Sequence, residues 1–488
     1  MKGLADIGAE TITAFLGTRR WYAGKAGAPR SARFLDVVPL PWHGGQFGIA
    51  RLEVVNDAGD ATVYQLPIDL TAAERGEVVD ATEDDRFRRS LADAFAKGGT
   101  FEGASLIGGG ASRWILEPAG SRTLNVAPHA RVALESAEQS NTSIIIDQDG
   151  MLKLFRRLEH GPHPEEEMSR YLSGPGAFAN TPALFAVARF EDGEGSSVAG
   201  VLQEFLPKSE NAWKFALEVG KDFFRASPAT EPVNEFPGHA GRLGEVTRAL
   251  HESLARGTAP EFVPGEPTRE EVQAWGEHVR AQVETGLALL EQVVASKKLP
   301  PDRMPEAEAL IARVERHRNE IDELVADIAG DAGLSIRTHG DYHLGQVLRT
   351  AGSDFMVIDF EGEPSRSLDE RRRKTSALRD VAGMLRSFAY AAATLMQQSG
   401  GGKRPMDRPT LEVRAGRWER DARTAFLKGY FAAPENAAEG LLPRNAKNAE
   451  RLLSVFETEK VFYELMYELN NRPDWAWIPM RGATRLFV

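Results

Sequence analysis

The sequence predicts an α+β protein of two lobes, a strand-rich amino-terminal lobe and a mostly helical carboxy-terminal lobe. Up to about residue 206, apolar residues alternate or form short β-branched runs that Gly, Asn and Asp interrupt, a pattern typical of strands joined by turns. From about residue 207 onward, apolar residues recur every three or four positions, which is the spacing of amphipathic helices. The 488 residues suffice for two or three domains with a large core.

The composition narrows the classes of function. The chain has no cysteine, which excludes disulfides, thiolate metal sites and cysteine nucleophiles. Its 59 basic and 71 acidic side chains give a net charge of −12, so we expect neither a nucleic acid partner nor binding to an anionic membrane. No apolar run approaches the ~18 residues of a membrane span, and the first residues lack an apolar signal core; we therefore expect a cytoplasmic protein.

The amino-terminal lobe is predicted to contain two subdomains. The first is a β-rich cap subdomain, residues 1–97, with one short helix and three strands, at 9–17, 32–40, 47–55 and 61–70. The second is an intermediate subdomain, residues 98–206, which completes the lobe with two strand pairs and one helix, at 143–156, at 184–205 and from Pro164.

The carboxy-terminal lobe covers residues 207–488. Helical periodicity marks these segments: 243–255, 269–296, 304–328, 378–397, 411–431 and 448–469. A pair of strands near 345–359 interrupts the helices, and the stretches 225–240 and 257–268 are rich in Pro, Gly and Glu and are predicted to be loops.

The most informative motif lies around this strand pair. Residues 339–346 read His-Gly-Asp-Tyr-His-Leu-Gly-Gln, and Asp-Phe-Glu follows a short strand at 359–361. The pattern resembles the H-R-D-L-x-x-x-N and D-F-G motifs of protein kinases, with Gln in place of Asn and Glu in place of the last Gly. Because the spacing from Asp to amide is kept, the sequence predicts a bilobal protein-kinase-like fold and a phosphoryl-transfer site.

Phosphoryl transfer depends on positioning and charge neutralisation, and the motif supplies residues for both. Asp341 can orient an attacking hydroxyl, and His339 is expected to support the loop and influence catalysis. Gln346 and Asp359 can offer oxygen atoms to Mg²⁺, and Glu361 is a further metal ligand or a carboxylate beside the metal. The competing interpretation, in which Asp341 caps a turn, does not explain the matching offsets of Gln346 and Asp359.

A nucleotide-binding lysine is expected earlier in the chain. Lys153 lies in the middle of an apolar strand, and Glu167 on the following helix is its expected partner, with Glu165 and Glu166 as alternatives. Such a pair would hold the nucleotide phosphates. The competing interpretation is a solvated lysine on the outer face of the strand.

Two further segments are candidates for nucleotide contacts. Small polar residues that can donate to phosphate lie between two predicted strands, at Ser140, Thr142 and Ser143. A hinge whose backbone could pair with adenine is expected at Gln203, Glu204 and Phe205. The alternatives are a polar hairpin turn and a plain strand end before Pro.

The carboxy-terminal stretch combines aromatic, acidic and basic residues, as a sugar-binding surface requires. The candidates are Tyr463, Tyr467, Glu468, Arg472 and Trp475. The tyrosines are spaced i, i+4 along a predicted helix and so share a face. The alternative is that this helix packs against the rest of the lobe.

Taken together, these motifs resemble the maltokinase family. The matching blocks are spread over nearly the whole chain: 20–25, 137–143, 152–157, 339–348, 358–364, 368–371, 378–388 and 463–479. The resemblance implies a cap subdomain, an intermediate subdomain and a helical lobe, in a fold similar to aminoglycoside phosphotransferases and eukaryotic-type kinases.

The resemblance also implies an activity. The family transfers phosphate from ATP to the anomeric hydroxyl of maltose, which gives maltose 1-phosphate for α-glucan (glycogen) synthesis. It implies that Asp341 is the base, that Gln346 and Asp359 hold Mg²⁺, that Lys153 contacts phosphates, and that the sugar pocket lies near 463–475. The same domain occurs fused to trehalose synthase, which makes that enzyme a candidate partner. The alternatives are a kinase for another sugar or an amino sugar such as glucosamine, and a non-catalytic pseudokinase.

Overall fold

The computed structural model describes residues 2–22, 29–108, 110–120, 122–127, 129–135, 140–226, 232–317, 325–326, 328, 330–400 and 407–487. Positions 23–25 and 137–139 of the family blocks, and most positions after 317 in the helix predicted at 304–328, lie outside the described residues. The chain divides into an amino-terminal unit, Met1–Lys208 with Arg366–Leu368, and a carboxy-terminal unit, Ser209–Ser365 with Asp369–Val488.

The amino-terminal unit is built mainly from strands, as predicted. Its helices are α1 Lys2–Ala5, α2 Ala9–Gly17, α3 Leu70–Ala73, α4 Asp85–Lys97 and α5 Pro164–Leu172. Its strands are β1 Ser31–Pro39, β2 Phe47–Val55, β3 Ala61–Asp69, β4 Gly99–Glu102, β5 Ala104–Ser105, β6 Arg113–Pro118, β7 Val132–Leu134, β8 Asn141–Ile146, β9 Gly150–Phe155, β10 Arg157–Leu158, β11 Leu184–Glu191 and β12 Ser196–Glu204. The strands expected in both subdomains and the helix at Pro164 are confirmed.

This unit contains two antiparallel sheets. The first has the strand order β10-β3-β2-β1-β5 and the second the order β4-β6-β11-β12-β9-β8-β7. Both edge strands of the first sheet come from chain after residue 98: Ser105 pairs with Asp36, and Arg157 pairs with Tyr64. The predicted intermediate subdomain therefore contributes strands to the sheet of the cap.

A shared apolar core joins the two sheets. Phe87, Leu91 and Phe95 on α4 pack in one buried cluster with residues of both sheets, including Phe47 and Leu154. The sequence analysis did not predict α4, although its apolar residues recur at helical spacing. The core explains why the cap and the second sheet form a single unit.

The carboxy-terminal unit is mostly helical. Its helices are α6 Ala212–Arg225, α7 Phe236–Leu254, α8 Arg269–Ala295, α9 Met304–Arg316, α10 Leu368–Arg372 (whose first residue belongs to the amino-terminal unit), α11 Leu378–Gly400, α12 Arg408–Phe431, α13 Ala446–Asn471 and α14 Trp477–Leu486. Its strands are β13 Glu210–Asn211, β14 Ser335–Ile336, β15 Val347–Arg349, β16 Phe355–Val357 and β17 Thr375–Ser376. No described helix combines the length and apolar composition that crossing a membrane requires.

Helix α7 begins inside the stretch 225–240, which was predicted to be a loop. Pro237 occupies its first turn, where proline is tolerated, and glycines in α7 let it approach α12 closely. A Cβ on Gly244 would overlap the Phe426 carbonyl oxygen, and one on Gly429 would overlap the Gly241 carbonyl oxygen. Residues that sequence reasoning treats as breakers thus serve helix packing here.

This contact predicts that Gly244→Ala destabilises the protein by about 1–3 kcal/mol, because the added methyl group forces two packed backbones apart. Gly416→Ala on α12 is the matched control, since a Cβ there meets no atom within 4 Å. It should stabilise the protein by about 0.5–1 kcal/mol through helix propensity. Urea unfolding of both variants measures the difference; an unchanged midpoint for Gly244→Ala would contradict the close packing.

Candidate active site

The loop that carries Asp341 is held by a buried carboxylate. At the start of α11, Asp380 accepts hydrogen bonds from the backbone N–H of His339 (2.8 Å) and of Gly340 (3.0 Å). Gly340 has a φ of 81°, a conformation that side chains rarely adopt. Two adjacent N–H groups therefore point at one carboxylate, which fixes the direction of the chain just before Asp341.

Helices α7 and α12 hold Asp380 in turn. His251 Nε2 lies 3.1 Å from Asp380, and His251 Nδ1 lies 2.9 Å from the Tyr430 hydroxyl. Burial by itself raises the pKa of Asp380, but the contact with His251 and the other donors lower it below its usual value. The carboxylate is thus charged and fully paired at neutral pH.

His339 links the loop to the following hairpin. Its Nε2 lies 2.9 Å from the Ile358 carbonyl oxygen, and its Nδ1 accepts the Asp341 backbone N–H at 3.4 Å. These contacts assign the ring proton to Nε2. The ring also packs against Tyr342 and Phe360. Asp341 therefore projects from backbone that is tied on both sides.

The Asp341 carboxylate is partly exposed and lies among basic groups. His343 Nε2 is 3.8 Å from it, and His343 Nδ1 accepts the Gly345 N–H at 2.9 Å. Burial raises the pKa of Asp341, but the basic side chains of His343 and Lys460 outweigh it and bring the pKa to about 2. Asp341 is ionised at every pH at which the protein would work.

The predicted Mg²⁺ ligands lie beside one short hairpin: Gln346 precedes its first strand, and Asp359 and Glu361 follow its second strand. Val347 of β15 pairs with Val357 of β16, and the Ile358 N–H donates to the Gln346 carbonyl oxygen at 3.0 Å. This register brings Gln346 and Asp359 to the same end of the hairpin. Asp359 has a φ of 67°, in the left-handed region, where a non-glycine residue costs free energy.

The donor chemistry fits Mg²⁺ held mainly by phosphate and water. Two carboxylates and one amide are oxygen donors, and Mg²⁺ commonly takes only one or two protein carboxylates and completes its shell with phosphate and water. Among the described residues, no three His, Asp or Glu side chains are grouped so as to hold a metal by themselves.

Helix α13 lies beside the Asp341 loop. Burial and a hydrogen bond to the Glu363 carboxylate raise the pKa of Tyr463 to about 12, and the Asp341 charge adds to the shift. Lys460, one turn earlier, lies 5.0 Å from the Tyr463 ring centre. The sequence analysis missed Lys460, although its i, i+3 spacing to Tyr463 places both on one helix face.

The other predicted sugar contacts form a cluster at the end of α13. Glu468 is 1% exposed and accepts hydrogen bonds from Tyr390 (2.9 Å) and Arg472 (2.7 Å). The Arg472 guanidinium lies 5.5 Å from the Tyr467 ring centre and 5.3 Å from that of Trp475. Glu468 therefore pairs with Arg472 and holds its guanidinium in place, while the side chain of Tyr467 is 48% exposed and faces solvent.

In the amino-terminal unit, Lys153 is only 7% exposed, which excludes the solvated alternative. On the sheet it is level with Ser143 of β8 and Val201 of β12, and its Nζ lies 5.7 Å from the Phe155 ring centre. Gln203, two residues beyond Val201, shares this face by strand alternation. The lysine thus points to one defined face of the second sheet.

Helix α5 covers this face with acidic residues. Gln203 donates to Glu165 at 2.8 Å and to Ser169 at 2.9 Å, so Glu165 lies over the face that carries Lys153. Glu166 instead bonds Arg170 and Arg189. The predicted partner Glu167 is half-buried on the same helix.

The candidate phosphate donors of β8 face both sides of the sheet. Ser140 is exposed at its start. The Ser143 hydroxyl, opposite Lys153 on the sheet, is buried and has no hydrogen-bond partner among the described residues. Thr142 points to the opposite face, where its hydroxyl accepts a hydrogen bond from Arg156 at 2.7 Å.

The predicted hinge uses its backbone donors within the unit. The N–H of Glu204 donates to the Ala183 carbonyl at 2.8 Å, and the N–H of Phe205 donates to the Asp149 carbonyl at 2.9 Å. The side chain of Gln203 is engaged with α5. A nucleotide base at this strand end would have to pair with other groups.

Comparisons with known proteins agree with the predicted fold. Residues 15–95 match the family model of the maltokinase N-terminal cap domain. Glucosamine kinases of Mycolicibacterium smegmatis and Streptacidiphilus jiangxiensis are 25% and 26% identical over 70% and 72% of this chain, and over 76% and 72% of their own. A solved glucosamine kinase in complex with glucosamine, ADP and inorganic phosphate aligns over 99% of this chain and 98% of its own, with a TM-score of 0.67 and 20% identity. The predicted α+β kinase-like fold is confirmed.

The contacts of Asp380 predict that Asp380→Asn lowers the free energy of unfolding by about 3–5 kcal/mol, because one partner of a buried pair loses its charge. A depressed pKa contributes stability above the unfolded value of about 4, and this contribution is lost as pH falls. Wild type and variant should therefore begin to converge in stability as pH falls below ~4 and converge fully only below the lower pKa of the folded carboxyl. Urea unfolding from pH 7 to pH 3 measures this. Asp302→Asn, whose ion pair with Arg408 is exposed to solvent, is the control and should change stability far less than Asp380→Asn; equal losses in both variants would contradict the role of Asp380.

Proposed function

We propose that this chain, which carries the maltokinase N-terminal cap domain and has the fold of a glucosamine kinase, is an ATP-dependent sugar kinase that phosphorylates maltose at its anomeric hydroxyl. The products are maltose 1-phosphate and ADP. The arrangement that carries the proposal is the tied loop of Asp341, whose carboxylate is ionised and flanked by Lys460 and Tyr463. A loop of this construction is suited to orienting an acceptor hydroxyl.

The chemistry assigned to Asp341 follows from its pKa of about 2. A carboxylate this acidic is a weak base, so it orients the hydroxyl in the ground state and takes its proton late, when the oxygen already bonds to phosphorus. The acceptor oxygen forms the new P–O bond while the bond between the γ-phosphorus and the β–γ bridging oxygen breaks. The electron pair leaves with ADP.

Mg²⁺ would supply charge neutralisation for the phosphate oxygens in this reaction. The residues that would hold it are Asp359 and Gln346, with Glu361 nearby, as their common position at one hairpin end supports. The charge of Asp359 makes it the stronger ligand, because the amide of Gln346 offers only a dipole.

On the nucleotide side, we assign phosphate binding to Lys153 and to the Ser143 and Ser140 hydroxyls. Glu165 is the better supported partner for Lys153 than Glu167, because its contact with Gln203 shows that it lies over the same sheet face. A buried glutamate on that face would hold the ammonium group in place. The hinge segment of Gln203, Glu204 and Phe205 would then contact the nucleotide base by packing and not by hydrogen bonds from the Glu204 and Phe205 N–H groups, which donate to other carbonyls of the unit.

On the acceptor side, the exposed ring of Tyr467 and the guanidinium of Arg472 supply an apolar surface and hydrogen-bond donors. Trp475 stacks on Tyr390 at 6.5 Å and extends this surface. A disaccharide presents apolar ring faces and many hydroxyls, and this combination of side chains suits both. The cap domain and these aromatic residues favour maltose, and maltose 1-phosphate would feed α-glucan synthesis. Trehalose synthase is the proposed source of the maltose and a proposed partner.

The second candidate acceptor is glucosamine, which is favoured by the curated relatives that share about a quarter of the sequence. A protonated amino group would need a carboxylate within reach. Glu363, which is buried and accepts the Tyr463 hydroxyl, is the carboxylate placed for this on the acceptor side.

The function is tested with ATP, Mg²⁺ and a panel of maltose, glucose, glucosamine and trehalose. The release of ADP gives the rate of the reaction, and phosphorus NMR of the product shows which hydroxyl carries the phosphate. We expect maltose to be the best acceptor and the phosphate to be on the anomeric carbon. Asp341→Asn should lower kcat by about 10²-fold, the low end for a general base, because the wild-type carboxylate is such a weak base.

Asp354→Asn, a surface aspartate paired with Arg242, is the matched control and should retain wild-type turnover. Glucosamine as the best acceptor would replace maltose by the second candidate. A chain that releases no ADP with any sugar would be a non-catalytic pseudokinase, and the proposal would be wrong.

The acceptor surface predicts a selective effect for Tyr467→Ala. Loss of one stacking ring is worth about 0.5–1.5 kcal/mol, so the KM for the sugar should rise about two- to tenfold while the KM for ATP and the melting temperature stay unchanged. Phe431→Ala, an aromatic at the end of α12 that packs against Tyr430, is the control and should leave both KM values unchanged. A fall in melting temperature without a change in sugar KM would mean that Tyr467 only packs the lobe.

A further inference from the structure

Arg156 is a charged side chain that the proposed reaction leaves without a role. It follows β9 directly, three residues after Lys153, and is 1% exposed. Its Nη2 lies 2.7 Å from Asp80 Oδ2 and 3.2 Å from Thr82 Oγ1, and its Nε donates to Thr142 Oγ1 at 2.7 Å. One guanidinium thus bonds two residues of the cap and one residue of β8.

The cap side of this contact is itself well ordered. Asp80 Oδ1 accepts the backbone N–H of Thr82 at 3.0 Å and its hydroxyl at 2.7 Å. Trp21 lies over the guanidinium, 5.0 Å from Cζ to the ring centre. Trp21 belongs to the block 20–25, one of the motifs that marked the family but had no part in the catalytic chemistry. Trp21 of that block therefore packs against Arg156, which directly follows β9 of the second sheet.

Burying a guanidinium is costly, and an apolar side chain of similar size would fill the same space without that cost. The guanidinium offers something that an apolar side chain does not: its planar set of N–H donors fixes the position of the Thr142 hydroxyl relative to Asp80. Thr142 lies between Ser140 and Ser143, the hydroxyls assigned to phosphate. Strand pairing also sets Ser143 opposite Lys153, so a shift of β8 would displace all these donors.

We propose that Arg156 is a positioning residue through which the cap holds β8 in register for binding the phosphates of a nucleoside triphosphate. The proposal rests on the assignment of Lys153 and Ser143 to phosphate. The cap is thereby a working part of the nucleotide site, although Asp80, Thr82 and Trp21 touch no reacting atom.

The test uses Thr142→Val, which removes one hydroxyl at nearly constant volume, together with Asp80→Asn and Arg156→Lys. The KM for ATP and for the sugar are measured in each full-length variant, and the Kd of a non-hydrolysable ATP analogue is measured by calorimetry. We expect the ATP KM and the analogue Kd to rise about tenfold, the size of one charge-assisted hydrogen bond, with the sugar KM within about twofold of wild type.

Arg51→Lys is the matched control. Arg51 is likewise a buried arginine of the amino-terminal unit; it pairs with Asp36 at 2.6 Å and with Asp192, but it contacts no residue of β8. It should lower the melting temperature without changing the analogue Kd. The double variant Asp80→Asn/Thr142→Val should bind the analogue no more weakly than the worse single variant, because both changes break one chain of contacts.

Three results would overturn the proposal. The first is wild-type analogue binding by folded Thr142→Val, which decides the matter even if Asp80→Asn fails to fold. The second is an equal loss of binding in Arg51→Lys. The third is additive loss in the double variant. A wild-type chain that binds the analogue but phosphorylates no sugar would defeat the proposed function alone, because the Kd measurements still test Arg156.

Discussion

The geometry of the loop that carries Asp341 depends on the buried carboxylate of Asp380. It accepts hydrogen bonds from the backbone N–H groups of His339 and Gly340 and lies within hydrogen-bond distance of the His251 ring. The other ring nitrogen of His251 lies within hydrogen-bond distance of the Tyr430 hydroxyl. Helices α7, α11 and α12 therefore converge with the loop at a single negative charge. Because a buried charge that loses its partners costs several kcal/mol, a shift of any one of these elements away from Asp380 is unfavourable. Asp341 thus gains its fixed direction from the helical core rather than from the loop.

The sequence predicted those features that depend on residues close together in the chain. Alternating and β-branched runs located the strands, helical spacing located most helices, and the offsets between Asp341, Gln346 and Asp359 marked the loop and hairpin. Roles that depend on partners distant in the chain could not be read in this way. Arg379 and Asp380 are adjacent in the sequence, yet Arg379 bonds Glu459, and the bonds of Asp380 involve residues 40, 41 and 129 positions away. The choice between Glu165 and Glu167 likewise needs the position of α5 on the sheet.

The acidic residues of α13 bond basic side chains within the protein, which the sequence alone does not reveal. Glu468, predicted as a sugar contact from its place beside aromatic residues, accepts hydrogen bonds from Arg472 and Tyr390. The same holds along the helix, where buried or nearly buried glutamates bond basic side chains of neighbouring helices: Glu457 with Arg423, Glu459 with Arg379, and Glu464 with Arg386. Much of the negative charge of this helix therefore neutralises basic side chains within the protein.

The left-handed backbone of Asp359 restricts which side chains this position accepts. Asparagine and aspartate enter that region of φ several-fold more readily than other non-glycine residues. Aspartate at this point therefore answers two demands at once, a tight reversal of the chain and a charged oxygen at its tip. A β-branched or bulky residue in place of Asp359 would therefore strain the turn as well as remove the carboxylate.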